Sequence, residues 1–161
     1  MPKLQNEITS QDISYILTNP WKFTNDEWRL HDELEKIRSL RFLLEKVELT
    51  CKGGYSKIWK TPNNLPLAVL GAYKVGDKKL EGFFVASKHM EEERHSLKIT
   101  FEMRQLIKEQ SYHYKGWTLG LYSESKNIQN QLSWLRLIGF TYKPDGNRGN
   151  NRYFEYISRV Q

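Results

Sequence analysis

Four histidines, His31, His89, His95 and His113, and a single cysteine, Cys51, are the side chains best suited to hold a transition metal. The histidines show no H-E-x-x-H run and no i,i+4 pair, so one helix face cannot present two ligands. A lone cysteine excludes an internal disulfide framework and a Cys-rich zinc site, and it reads as an inert reduced thiol of a cytosolic chain. No metal is expected. A G-x-S-x-G nucleophile elbow and a G-x-x-x-x-G-K-[ST] phosphate loop are both missing from the sequence, which removes the common hydrolase and NTPase readings.

Two segments do concentrate reactive groups. Ser87-Lys88-His89-Met90-Glu91-Glu92-Glu93-Arg94-His95-Ser96 holds three adjacent carboxylates among basic residues. Carboxylates in the first turn of a helix gain ~0.3–1 kcal/mol each from the dipole, so Glu91–Glu93 read first as a helix start. Near the C-terminus, Lys143, Arg148, Arg152 and Arg159 interleave with Tyr142, Tyr153, Phe154 and Tyr156. Such a mixture can grip single-stranded nucleic acid by charge and stacking. Alternation in a hairpin would bury some of those rings, so a solvated turn outweighs a nucleic-acid partner.

The frame that positions these groups has 161 residues, the length of one domain, expected over 1–161. Apolar residues make up 39% and aromatics 13%, which calls for a core built of large rings and argues against disorder. The net charge of +6 favours acidic partners or phosphorylated cofactors without deciding between them. Leu65 to Tyr73, nine residues broken by Pro and Gly, is the longest apolar stretch. A bilayer span needs ~20, and Met1 to Gln5 does not open a signal peptide, so a soluble, cytoplasmic protein with no membrane partner is expected.

Period and punctuation then give the elements. Residues 3–8 alternate as a first strand. Thr9 or Ser10 caps a short helix through Leu17 that stops before Pro20. Thr24 and Glu27 form a capping-box signature for a long helix on which Leu30, Leu34, Ile37, Leu40, Leu44 and Val47 make one stripe, closed by Gly53-Gly54. Tyr55–Trp59, Leu67–Val75 and Leu80–Ser87 follow as an antiparallel meander with tight turns between them. A helix bearing Ile99, Met103, Leu106 and Ile107 on one face has room to run to Gly116. Trp117–Tyr122 is the next strand, Leu132, Leu135 and Ile138 mark a last helix, and Thr141-Tyr142 pairs with Tyr153–Ile157. The helix between the strands at 80–87 and 117–122 requires one parallel pair in a mostly antiparallel sheet.

This order, with Ser133-Trp134-Leu135-Arg136-Leu137-Ile138-Gly139-Phe140-Thr141-Tyr142, resembles the GNAT superfamily of acyl-CoA-dependent N-acyltransferases, in which an apolar helix runs through Gly-Phe into the final strands. The Trp-Leu pair and the glycine-free loop resemble the superfamily's bacteriophage members in particular, which would place the protein in a host cytoplasm. The resemblance implies a mixed, mostly antiparallel sheet with helices on both faces. It also implies a V-shaped splay between the fourth and fifth predicted strands, Leu80–Ser87 and Trp117–Tyr122. Acetyl-CoA is the implied cofactor, its pantetheine arm following the backbone of Phe84, Val85 and Ala86 and its pyrophosphate resting on the next helix N-terminus.

The loop there lacks the family's glycines, and its carboxylates repel phosphate by ~1 to ~4 kcal/mol per charge pair at 4 Å, depending on the local dielectric. Lys88, Arg94 and His95 are the residues able to compensate, and Asn127 and Asn130 lie near the family's asparagine on the last helix. The family's strand glutamate points to Glu81 as base. The position of its tyrosine acid, counted back from Phe140, is Leu135, which leaves Tyr122 or Tyr142 as substitutes. The resemblance thus implies acyl transfer from acetyl-CoA or a related thioester to an amine of a small molecule or protein. The degenerate loop opens the alternative of an inert phage assembly or host-interaction protein with a protein partner.

Overall fold

The structure is a computed structural model that describes residues 8–92 and 95–157. The strand expected over 3–8 therefore lies outside the described residues apart from Ile8, as do Glu93, Arg94 and Arg159. Three helices come first: α1 (Ser10–Thr18), α2 (Lys22–Trp28) and α3 (Glu33–Lys52). Thr9 caps α1 reciprocally with Asp12, each side chain accepting the other's backbone N–H at 3.1 and 3.0 Å.

The single long helix expected from Thr24 is instead two. Arg29 adopts a left-handed φ of 55°, ending α2, and the Asp32 carboxylate starts α3 by accepting from Leu34 N–H at 2.9 Å. Glu33 and Glu35 add to that start through the helix dipole. Thr24 and Glu27 do not cap anything: both reach across to strands, as described below. The buried face of α3 also differs from the expected stripe. Ser39, Leu43 and Thr50 are buried and Leu40, Leu44 and Val47 flank them, whereas Leu34 and Ile37 are each 55% exposed. The break at Arg29–Asp32 re-aims the helix, so a stripe counted continuously from Leu30 loses its phase.

The sheet is formed by β1 (Gly54–Lys60), β2 (Pro66–Gly76), β3 (Lys79–Ala86), β4 (Thr118–Ser123), β5 (Thr141–Tyr142) and β6 (Arg152–Ile157), in the spatial order β1-β2-β3-β4-β6-β5. Every pairing is antiparallel except β3 with β4, which α4 (His95–Ser111) connects; α5 (Ile128–Leu137) joins β4 to β5. Side chains alternate between the two faces. Val69, Tyr73, Phe83 and Val85 face α1 and α3 in one core, while Leu70, Ala72 and Leu80 face α4 and α5 in the other through Ile99, Met103, Ile107 and Leu135. At Gly71 a Cβ would lie 2.3 Å from the Phe83 ring, so only glycine lets that ring lie across the strand.

α4 ends at Ser111, before Gly116, because turns over Tyr112–Gly116 lead the chain into β4. The carboxylates at 91 and 92 do not sit in its first turn. Lys88–Glu91 is a short 3-10 helix and Glu92 its C-cap. At the far end Gly139 takes the positive φ expected of it, 104°, and Phe140 turns into the core. No helix among the described residues is long and apolar enough to cross a membrane.

Candidate active site

Parallel pairing of β3 with β4 runs from Lys79↔Thr118 to Gly82↔Leu121 and stops there. Beyond it β3 continues to Ala86, held by β2, and β4 continues to Ser123, held by β6. The two strands therefore splay. Hydrogen-bonding groups alternate between the edges of a strand. Ser87 N–H bonds back to Leu67 on the β2 side, so odd-numbered residues of β3 face β2 and even-numbered ones face the gap. The gap-facing residue Ala86 already has both groups engaged: its N–H donates to Thr24 Oγ1 at 3.1 Å, and its C=O accepts from Trp21 N–H at 3.0 Å. Of the rail expected over Phe84–Ala86, Val85 faces β2, Ala86 is tied to α2, and Phe84 is left directed at the gap.

On the α4/α5 face the splay opens into a cavity of about 500 Å³, within the range of small-molecule and cofactor sites. Trp21, Phe84, Leu97, Trp134 and Leu137 give it apolar walls. Trp134 is fixed there by its Nε1–H, which donates to Thr100 Oγ1 at 3.0 Å, and by its ring against Phe84 at 5.5 Å. Asn130 also lines it. Asn127 does not; it caps α5, its side chain accepting from Asn130 N–H at 3.1 Å.

On the opposite face a second cleft, about 380 Å³, is lined by Trp28, Phe42, Tyr73, Glu81, Tyr122 and Arg148 among others. Glu81 accepts the Tyr73 hydroxyl at 2.7 Å and lies 3.9 Å from the Arg148 guanidinium. Arg148 in turn stacks 4.2 Å above the Tyr122 ring. Burial and the Glu81 bond push the Tyr73 hydroxyl well above its ordinary value, so it stays a donor. Tyr142 lines neither cavity: its ring packs on Phe154 at 5.2 Å, and its hydroxyl accepts from Asn147. Lys88 likewise stays outside, spending its N–H on Asn19 C=O.

Glu27 was missed by sequence reasoning, which used it as half of a helix cap. It is the one described residue that lines both cavities. Its carboxylate accepts from Ser123 Oγ at 3.2 Å at the end of β4. Burial, opposed by that bond and reinforced by the nearby Glu124 carboxylate, pushes its pKa up to about 8. No signal local to α2 betrays this, because Ser123 lies 96 residues away.

The described part of the segment between β3 and α4 is bound to itself and to α1 and α2. Glu92 pairs with His89 Nδ1 at 2.9 Å, His89 Nε2 meets the Tyr15 hydroxyl at 2.6 Å, and Glu91 lies 3.7 Å from Lys22. Of the C-terminal rings that could stack on nucleic acid, Tyr153 and Phe154 are in the core, and Arg152 is bonded to Ser125 C=O and Gln131.

No protein-family model matches the sequence, and no curated protein sequence matches it. Solved structures do match over nearly the whole chain. The GNAT-family acetyltransferase of Staphylococcus aureus Mu50 superposes with a TM-score of 0.64 at 12% identity, covering 97% of both chains. The PaiA N-acetyltransferase of Thermoplasma acidophilum, solved with coenzyme A, gives 0.62 at 12% identity over 94% of this chain and 96% of its own. An aminoglycoside 6'-acetyltransferase type Ii gives 0.62 at 10% identity over 97% of both. With its crossover, its parallel pair and the splay that ends that pair, this chain has the GNAT fold.

Proposed function

We propose that the protein transfers an acyl group from acetyl-CoA or a related thioester to an amine, the two reactants meeting at the β3/β4 splay from opposite faces of the sheet. The observation that carries this reading is the ladder's end at Gly82↔Leu121, with a cavity on each side of the gap. The thioester supplies an activated acyl carbonyl. Phe84, Leu97, Trp134 and Leu137 would hold its pantetheine arm by apolar contact, and the gap-facing Phe84 backbone would polarise the carbonyl. Val85 and Ala86 would support that strand from behind, since neither lines the cavity. Asn130 would serve the polar length of the cofactor and Asn127 would act through its cap on α5, while the charges of Lys88 and Arg94, expected from the sequence to offset the nearby carboxylates, would bear on its phosphates from outside the cavity.

On the other face the aromatic walls and Glu81 suit an amine that arrives as a cation. Glu81 would anchor its charge, as the strand carboxylate expected to act on the amine, and Tyr122 would supply a ring face and a proton donor. Tyr142 would reach the site only by a rearrangement of β5. Acceptors of this kind include small amines and protein amines of the host cytoplasm.

One observation favours a second reading, an inert phage assembly or host-interaction protein. Trp21 and Thr24 satisfy the backbone of Ala86, which in an open rail would be left for a cofactor. Thermal melting with acetyl-CoA separates the two. At 100 times its dissociation constant a ligand adds ~2.7 kcal/mol of stability. A raised melting curve together with mass-spectrometric detection of acetylated amine is expected; an unmoved curve and no product favour the second reading.

A further inference from the structure

We infer that Glu27 is the group that takes the acceptor's proton, and that Arg152, Gln131 and Ser123 form a one-way hydrogen-bond chain that positions its carboxylate. The inference rests on the acyl-transfer reading for the reaction but not for the chain itself.

Four elements contribute to the chain. From β6, Arg152 Nη1 donates to Gln131 Oε1 at 2.8 Å. From α5, the buried Gln131 donates through Nε2 to both the C=O and the Oγ of Ser123, each at 3.0 Å. With its oxygen accepting from Gln131, the Ser123 hydroxyl is turned to donate to Glu27 Oε2 at 3.2 Å. Every bond points the same way, from a permanent cation toward a carboxylate, and such chains polarise one another. Arg152 is itself held by Ser125 C=O at 2.9 Å. A geometry built to deliver donors to one carboxylate, at the one residue shared by both cavities, is what a proton acceptor between two reactants needs.

Glu81 serves the same cleft differently. It is already engaged by Tyr73 and Arg148, which suits it to hold charge and leaves the transferable proton to Glu27. Other charged groups lining the two cavities are Asp26, Glu124, Arg38 and Arg148, of which Glu124 favours the protonated form of Glu27. The burial that lifts Glu27 to about 8 brings it close to the proton affinity a base needs near neutrality.

In the reaction, the acceptor's ammonium gives one proton to the Glu27 carboxylate. The freed nitrogen lone pair forms the C–N bond to the acyl carbon as the C–S bond breaks. The sulfur keeps that electron pair and takes the nitrogen's second proton, leaving an amide, a thiol and a protonated Glu27 that returns its proton to water.

The test combines kinetics with a titration that needs no turnover. With acetyl-CoA as donor and n-butylamine, spermidine or a lysine peptide as acceptor, kcat/KM of the wild type should rise with pH, half-way at about 8, and level about one unit above that. Glu27→Gln should lose ~100-fold or more in kcat with a KM changed less than threefold. Carbon NMR of the labelled glutamates should show Glu27 titrating near pH 8. In Ser123→Ala that midpoint should move up by about one pH unit, the size expected for losing one hydrogen bond to the charged form, and Ser123→Thr should restore it. An active Glu27→Gln variant with wild-type kcat overturns the base assignment while leaving acyl transfer standing. A Glu27 midpoint in the ordinary carboxylate range overturns the burial that fits it to be the base, and a midpoint indifferent to Ser123→Ala overturns the chain. A wild type that neither binds acetyl-CoA nor acylates any of the amines refutes the acyl-transfer reading and the base assignment with it, while the titration still decides whether the chain exists.

Discussion

Replacing Glu27 by Gln should stabilise the protein at alkaline pH and leave it nearly unchanged at pH 5. The folded chain holds the Glu27 proton up to about pH 8, whereas an unfolded chain releases it near the ordinary value of 4.5. The stability linked to that proton is complete below 4.5 and is lost as pH rises through 8. At ~1.4 kcal/mol per pH unit the gap sets a ceiling of about 5 kcal/mol. Water can enter the cavities on both sides of Glu27 and will reduce the penalty, so a difference of ~2–5 kcal/mol is expected between wild type and variant at pH 9. Gln keeps an oxygen for Ser123 and carries no charge, so the variant escapes the loss. For a chain of this length each kcal/mol is worth ~2–4 °C, which predicts a melting point raised by roughly 5–15 °C at pH 9. Paired thermal and urea melts at pH 5 and pH 9 measure it. An equal effect of the substitution at both pH values would refute the burial argument.

Three further outcomes follow from single side chains. Gly139→Ala forces a residue with a Cβ into φ of 104° and sets that Cβ 3.0 Å from the Tyr156 ring; denaturant unfolding should show a loss of ~1–3 kcal/mol, and a neutral result would mean the α5 end is free to move. Arg148→Ala removes an exposed ion pair worth ~0–1 kcal/mol, so melting should hardly change, while KM for a cationic amine should fall severalfold as Glu81 and the Tyr122 face are vacated; a rise in KM would show that Arg148 contacts the acceptor instead. His89→Ala breaks bonds to both Tyr15 and Glu92 at a buried position, and urea unfolding should report ~2–4 kcal/mol of destabilisation, against less than 1 if the loop is held by its backbone alone.

How much of this was legible in the sequence depends on how local the deciding interaction is. The meander from Tyr55 to Ser87, the crossover helix with Ile99, Met103, Leu106 and Ile107, and the Gly139-Phe140 reversal are all set by neighbours in the chain, and they read correctly. Thr24 and Glu27 misled because their spacing satisfies a capping rule while their partners, Ala86 and Ser123, are distant in sequence. The expected stripe held at Leu30, Leu40, Leu44 and Val47 and failed at Leu34 and Ile37 for the converse reason: the single left-handed residue Arg29 is a local event that a periodicity count passes over. In the candidate site, Phe84 and Asn130, expected from strand and helix order, line one cavity, and Glu81 and Tyr122 line the other. Engagement of Ala86 by α2, and a hydrogen-bond chain drawn from β6, α5 and β4, exist only once the sheet has formed.

The most direct test is a crystal structure grown with acetyl-CoA. The acyl-transfer account predicts the pantetheine arm between α4 and α5, against Leu97, Trp134 and Leu137, with the thioester beside Phe84 and facing Glu27 across the splay. Acetyl-CoA bound on any other face, or none bound at millimolar concentration with Trp21 and Thr24 still closed over Ala86, would contradict it.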